Sequence, residues 1–348
     1  MKQRVSIKEG AATTYTEDPL AIAEAKSKVI PKDETPAGTS SCTVTNLQVK
    51  DYCIKGSANS AFSGSYTSME MVNYVLSRGV RFLDLQVFWI DSYNGKKDAC
   101  VGFTSDKLSY APNGVKNKQI PPLSMILSTI LSNAFVQKQG SAYVTTNPLD
   151  PLFVQIRMQT DSKTIPELYN RIQEVLKSQL SDSDYSYGNK QVSRFTSLSQ
   201  IKQKILIGFN SDEYYVVRPS GNDPSDYTNF LTNSETIKRL TFKEVDPTYN
   251  VNIMPPKTLT QYTTDVSDFI MVAPDNDTED IIPNPNPFHA IKLYGIQIIL
   301  NQYYSVDTNL INSEIMYSSR FGGIVPMSLC LGYINNTAEP ADTSIPTK

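Results

Sequence analysis

Acid–base chemistry near neutral pH most often uses histidine, and this chain of 348 residues has one, His289. It stands in NPFHAIKLYG after a proline-rich run, where its neighbours suit a packed or surface side chain better than a catalytic one. The four cysteines, Cys42, Cys53, Cys100 and Cys330, are scattered without CxxC spacing and read as reduced, buried thiols. No Gly-rich phosphate loop, GxSxG elbow, HExxH or zinc spacing occurs. The chemistry-bearing residues that stand out lie in RFLDLQVFW (81–89). Read as a strand, it places Asp84 and Gln86 on one face with Phe82 and Phe88, and Leu83, Leu85 and Val87 on the other.

The elements that would hold such residues alternate between helix and strand. Val72, Val75 and Leu76 share one face of a helix over 66–78, which Gly79 can stop. Leu123, Ile126, Leu127, Ile130, Leu131 and Phe135 form a stripe after Pro121-Pro122. Leu168, Ile172, Val175, Leu176 and Leu180 form another. LFVQIRM (152–158), KILIGF (204–209), FIMVA (269–273) and GIQIIL (295–300) are short apolar runs of the kind a buried parallel strand requires. Residues 274–289 read as a loop. The expectation is an α/β chain with a parallel sheet and helical crossovers.

Composition limits the functions open to it. An apolar content of 40% and a charged content of 19% are ordinary for a globular protein. The formal net charge of −3 gives no electrostatic case for nucleic acid or for an anionic membrane surface. MKQRVSIKEGAATTYTED has no apolar core and does not read as a signal peptide. No run is long enough to span a bilayer. The expected setting is cytoplasmic, which leaves the N-x-T matches at Asn276 and Asn335 without consequence. Residues 1–44 are polar and aperiodic and read as an extended or disordered arm, and 336–348 as a flexible tail. Residues 45–335 form the body.

Five segments, GSANSAF, RFLDLQVFW, CVGFT, SNAFVQ with DPLFVQIRM, and GIQIILNQYYSVDTNL with MYSSRFGGIVPM, follow one another in an order that resembles phosphatidylinositol-specific phospholipase C. GSANSAF stands where that family has S-H-N-T. RFLDLQVFW stands for R-C-[LV]-E-L-D-[CV]-W, and CVGFT for H-G-H-T. SNAFVQ and DPLFVQIRM resemble its next helix end and strand. GIQIILNQYYSVDTNL with MYSSRFGGIVPM is similar to its closing G-x-Q-x-x-x-L-N and G-G-Y-V-L-K-P stretches. The resemblance implies a distorted TIM-type (β/α) barrel of the PLC-like phosphodiesterase kind, with its site at the C-terminal ends of the strands.

It also implies what has changed. Both catalytic histidine positions hold other residues, Ala58 and Phe103, which neither donate nor accept a proton. Asn59 matches the family's asparagine. Of the carboxylates that hold calcium in many members, one corresponds to Asp84, one to the amide Gln86, and a third to Arg157. A hard divalent cation needs several anionic oxygens, so a buried Asp84–Arg157 ion pair is expected in place of a metal, and no cofactor. Lys243, Lys292 and Arg320 fall on segments near the family's head-group pocket and read as scattered surface cations.

The resulting expectation is a pseudoenzyme: an inactive barrel acting as a structural or interaction protein. The wording around DYCIKGSANSAFSGSY resembles degenerate phospholipase-like barrels encoded by large double-stranded DNA viruses. That likeness implies a virion or minor-capsid role, with other proteins of an assembly, such as capsid proteins, as partners. A phosphoinositide or inositol-phosphate binding module is the alternative, and an active phosphodiesterase with relocated acid–base groups the second.

Overall fold

A computed structural model describes residues 15–27, 47–105, 112, 116, 119–136, 145, 147–217, 226–246, 268–274, 282–318 and 322–337. In chain order the elements are α1 (Pro19–Ser27), β1 (Tyr52–Ser57), α2 (Met69–Ser77), β2 (Phe82–Asp91), β3 (Lys97–Gly102), α3 (Leu123–Asn133), β4 (Leu152–Gln159), α4 (Ile165–Leu180), β5 (Ile205–Asn210) and α5 (Ser211–Val217). They continue with β6 (Thr228–Thr232), β7 (Lys238–Thr241), α6 (Phe242–Val245), β8 (Ile270–Ala273), α7 (Pro287–Tyr294), β9 (Ile298–Asn301), α8 (Thr308–Ser318), β10 (Ile324–Pro326) and α9 (Met327–Thr337).

Parallel strands follow one another in the order β6-β5-β4-β2-β1-β9-β8-β7. A single bridge, Thr232 to Ile237, joins the two ends of that row into a nearly closed barrel. β3 folds back antiparallel on β2, and β10 pairs antiparallel with the start of β1. Alternation along each strand separates two cores. Leu83, Leu85 and Val87 face out against Val72, Val75, Leu127 and Ile172. Phe82, Phe153, Phe230, Ile54 and Leu300 face in. The Phe82 and Phe153 rings stack at 5.9 Å, and Phe230 meets them at 5.8 and 5.6 Å. A Cβ on Gly208 would come within 2.1 Å of the Phe230 ring, so this strand position requires glycine.

Local chemistry sets the helix limits. Ser68 caps α2 by accepting from the Met71 amide at 3.0 Å, and Gly79 takes φ 80° just past its end. Asn286 caps α7 by accepting from the Phe288 and His289 amides. The run read from sequence as a loop to residue 289 therefore turns helical at Pro287. Capping chemistry looks like loop chemistry until the helix it starts is seen.

The predicted arm also needs correction over residues 15–27. Here the chain forms α1, seated on α2, with Ala21 and Ala25 buried and Lys26 Nζ 3.7 Å from Glu70. Tyr15 is buried edge-on to Tyr93 at 5.3 Å. Small alanines let the two helices approach closely without the long apolar stripe that sequence reading looks for. The arm positions 1–14 and 28–46 and the tail positions 338–348 lie outside the described residues.

The chain entering β1 is clamped across the barrel floor. The Val49 amide donates to Thr196 O at 2.9 Å, and Gln48 bridges Ser197. On the outer wall Glu314 of α8 accepts from Lys55 Nζ of β1 at 2.7 Å and from the Tyr303 hydroxyl at 2.5 Å. Its other oxygen receives Arg78, just past α2, through Nε at 2.7 Å. Burial alone would push the Glu314 carboxyl up, yet Lys55 and Arg78 hold it below the usual range.

Candidate functional site

The mouth is built where β1, β2, β3 and β4 end. Ala58 is fully buried in the inner core, and its amide donates to Asn301 O at 2.9 Å. Phe103, half-buried just after β3, stacks on Phe62 with centroids 4.0 Å apart and planes 6° from parallel. Tyr304 closes the group edge-on, 5.2 Å from Phe62 and 6.0 Å from Phe103. An aromatic cluster thus occupies the position where the resemblance places a catalytic histidine.

The polar side of the mouth is centred on Arg157. Its Nε donates to Asp84 Oδ1 at 2.7 Å, and its Nη2 to Asp84 Oδ2 at 2.6 Å and Asn59 Oδ1 at 2.7 Å. Burial works against the Arg157 charge, but Asp84 outweighs it and holds the guanidinium above its ordinary pKa. Asn59 sits at φ 45°, a left-handed conformation that asparagine tolerates. From there its amide donates to Asp84 Oδ2 at 3.1 Å and its Nδ2 to the Tyr304 hydroxyl at 3.3 Å. Burial, with Asp84 adding to it, keeps that phenol protonated well above its usual range.

Gln86 takes no part in this network. Its amide donates to Thr104 O at 2.9 Å and accepts from the Thr104 amide at 2.6 Å. An ionised carboxylate accepts only, so it could not make both bonds. The glutamine therefore fixes the backbone that carries Phe103. Among the described residues no cluster of His, Cys, Asp and Glu is able to hold a metal ion.

Asn59, Asp84 and Arg157 line a narrow slot with Gln155, Arg239, Ala273, Pro274 and Leu300, and the side chains as they stand leave no room in it for a water-sized sphere. Sites for small organic ligands run to roughly 300–1,000 Å³, so a ligand of that size enters the slot only if these side chains move. Two buried atoms at it, Arg157 Nη1 and Gln155 Oε1, have no hydrogen-bond partner. Sequence reading missed Tyr304, Arg239 and Glu213. The last lies in the first turn of α5 beside the mouth and accepts from the Met158 amide at 2.7 Å. Burial raises its carboxyl to about 7, against the pull of Arg157 and Arg239.

The remaining candidates lie elsewhere. His289 is exposed on α7, beside a cleft lined by Phe242, Asp246 and Asn284. Lys243 and Lys292 sit on α6 and α7, and Arg320 is outside the described residues.

Residues 45–210 match the family "Phosphatidylinositol-specific phospholipase C, X domain". Together with the barrel this defines the fold as that of a PLC-like phosphodiesterase. Among solved structures, PLC21 of S. officinalis is 13% identical, covering 79% of this chain and 36% of its own, with a TM-score of 0.45. PLC21 of L. pealei is 12% identical, covering 83% and 37%, with a TM-score of 0.46. A calcium-dependent phosphoinositol-specific phospholipase C from a Pseudomonas species is 10% identical, covering 81% and 96%, with a TM-score of 0.41. The chain thus spans about a third of the length of the two PLC21 chains. No curated protein matched the sequence.

Proposed function

We propose that this barrel is catalytically inactive and serves as a structural or interaction module. The observation that carries the reading is how the mouth is filled: Phe103 is committed to a ring stack, and Arg157 to Asp84 and Asn59. Neither arrangement leaves an acid–base pair facing a scissile phosphodiester. The virion or minor-capsid setting, in a cytoplasmic assembly, extends this proposal and rests on the viral resemblance. Among the described residues no helix is long and apolar enough to cross a membrane. Co-purification with an assembled particle tests the assembly role, and its absence from purified particles counts against it.

Two other readings have an observation each. Arg157 Nη1 without a partner, beside Arg239, favours retention of a phosphoinositide or inositol-phosphate head group. Calorimetric titration with inositol phosphates separates that case. Glu213, with a carboxyl near 7 beside Arg157, favours relocated acid–base chemistry. A hydrolysis assay separates that one.

A further inference from the structure

The connection from α4 to β5, residues 181–204, is long for an α/β unit and holds a single 3₁₀ turn at Leu198–Ile201. Loops beyond about 12–15 residues without elements of their own are uncommon in compact domains and often functional. This one lies on the barrel floor, opposite the mouth. From Tyr185 to Lys204 it carries Lys190, Arg194, Lys202 and Lys204 and no carboxylate, in a chain whose net charge is −3. Its acidic residues, Asp182 and Asp184, come before that stretch.

The loop is held rigid. The Lys50 amide donates to Arg194 O at 3.3 Å, the Leu198 amide to Leu47 O at 3.2 Å, and the Ser193 amide to Thr196 Oγ1 at 2.9 Å. At its tip Phe195 is 53% exposed, a large apolar side chain left in water. Lys50 Nζ lies 5.4 Å from the centre of its ring and Arg194 Cζ 5.0 Å. Asp268 contacts both Arg194 and Lys238, so it faces two cations with one carboxylate.

We propose that this floor patch is a docking surface for an acidic protein segment, with Phe195 as its apolar anchor. The charge sign calls for a partner rich in Asp and Glu. Lys50 Nζ and Arg194 Cζ both lie over the Phe195 ring, which leaves less of its face for a nucleic-acid base to stack on. An exposed aromatic ringed by charges matches the anchor-and-rim pattern of protein interfaces. The proposal rests on reading the barrel as an interaction module and adds the face and the chemistry of the partner.

The test is fluorescence anisotropy of the full chain with a short labelled peptide of glutamates interrupted by leucines, and with oligothymidylate of matched charge. The peptide is expected to bind, to weaken as salt is raised from about 0.05 to about 0.5 M, and to lose about tenfold or more in affinity in Phe195→Ala. Lys190→Glu with Arg194→Glu should abolish binding, whereas Lys163→Glu, at the mouth end, should leave it unchanged. No peptide binding, equal binding by the floor variants, or tighter binding of oligothymidylate overturns the proposal. Hydrolysis of phosphatidylinositol by the same preparation would overturn the non-catalytic reading instead, so the two failures are distinguishable.

Discussion

With Asp84 on two of its nitrogens and Asn59 on one, Arg157 is held where only 4% of its surface meets solvent. Removing one partner of a buried pair costs about 3–5 kcal/mol, mostly because the other charge stays buried alone. Arg157→Leu should therefore lose about that much stability, and Arg157→Glu more, since it sets two acids together. Arg157→Leu with Asp84→Asn should regain a large part. Urea unfolding reads all three, and an unchanged midpoint in both single variants would contradict the pairing. Glu213 sets a pH dependence. Its folded carboxyl is raised to about 7 from 4.5, so its contribution to stability is full below about 4.5 and is lost as pH rises through about 7. The parent should lose stability between about pH 5 and 8 relative to Glu213→Gln, and parallel melting curves would refute this. Strand alternation set the face of Asp84, and the phospholipase resemblance supplied Arg157 as its partner. Tyr304 was not legible, because it meets Asn59 across 245 residues of sequence and no local pattern marks it. The bond from Gln86 to Thr104 was hidden likewise, since it depends on β3 folding back on β2.

Elements were easiest to read where apolar spacing is strong. The stripe on α4 and the alternation on β2 predict both elements within a few residues of their limits. α1 escaped because its buried contacts are Ala21 and Ala25, which leave little periodic signal. Its docking is testable: Ala21→Lys, placing a charge against α2 at a fully buried position, should speed amide exchange across α2 and lower the melting temperature. Unchanged exchange would mean that α1 does not stay on α2. A stronger tie joins β1, α2 and α8 through Lys55, Arg78 and Glu314, whose side chains are at most 6% exposed. Glu314→Gln leaves two cations without their carboxylate. It should cost at least about 3–5 kcal/mol by denaturant unfolding, and a loss below about 1 kcal/mol, typical of a surface pair, would contradict the tie.

At the scale of the whole molecule, the barrel retains a phospholipase-like scaffold while its mouth is closed by rings and a buried ion pair. Helix–strand alternation made the parallel α/β chain readable, and the five-segment resemblance implied the barrel. The seam from β6 to β7 rests on one bridge and had no sequence signature. The proposed inactivity is open to direct measurement. General acid–base groups contribute about 10²–10⁴-fold each, so a site without the pair should lose most of its rate enhancement. The decisive measurement is release of inositol phosphate from phosphatidylinositol vesicles by the purified chain, with and without calcium, beside Asp84→Asn and Arg157→Leu. The account predicts turnover indistinguishable from background in all samples. Turnover by the parent that either substitution abolishes would contradict it.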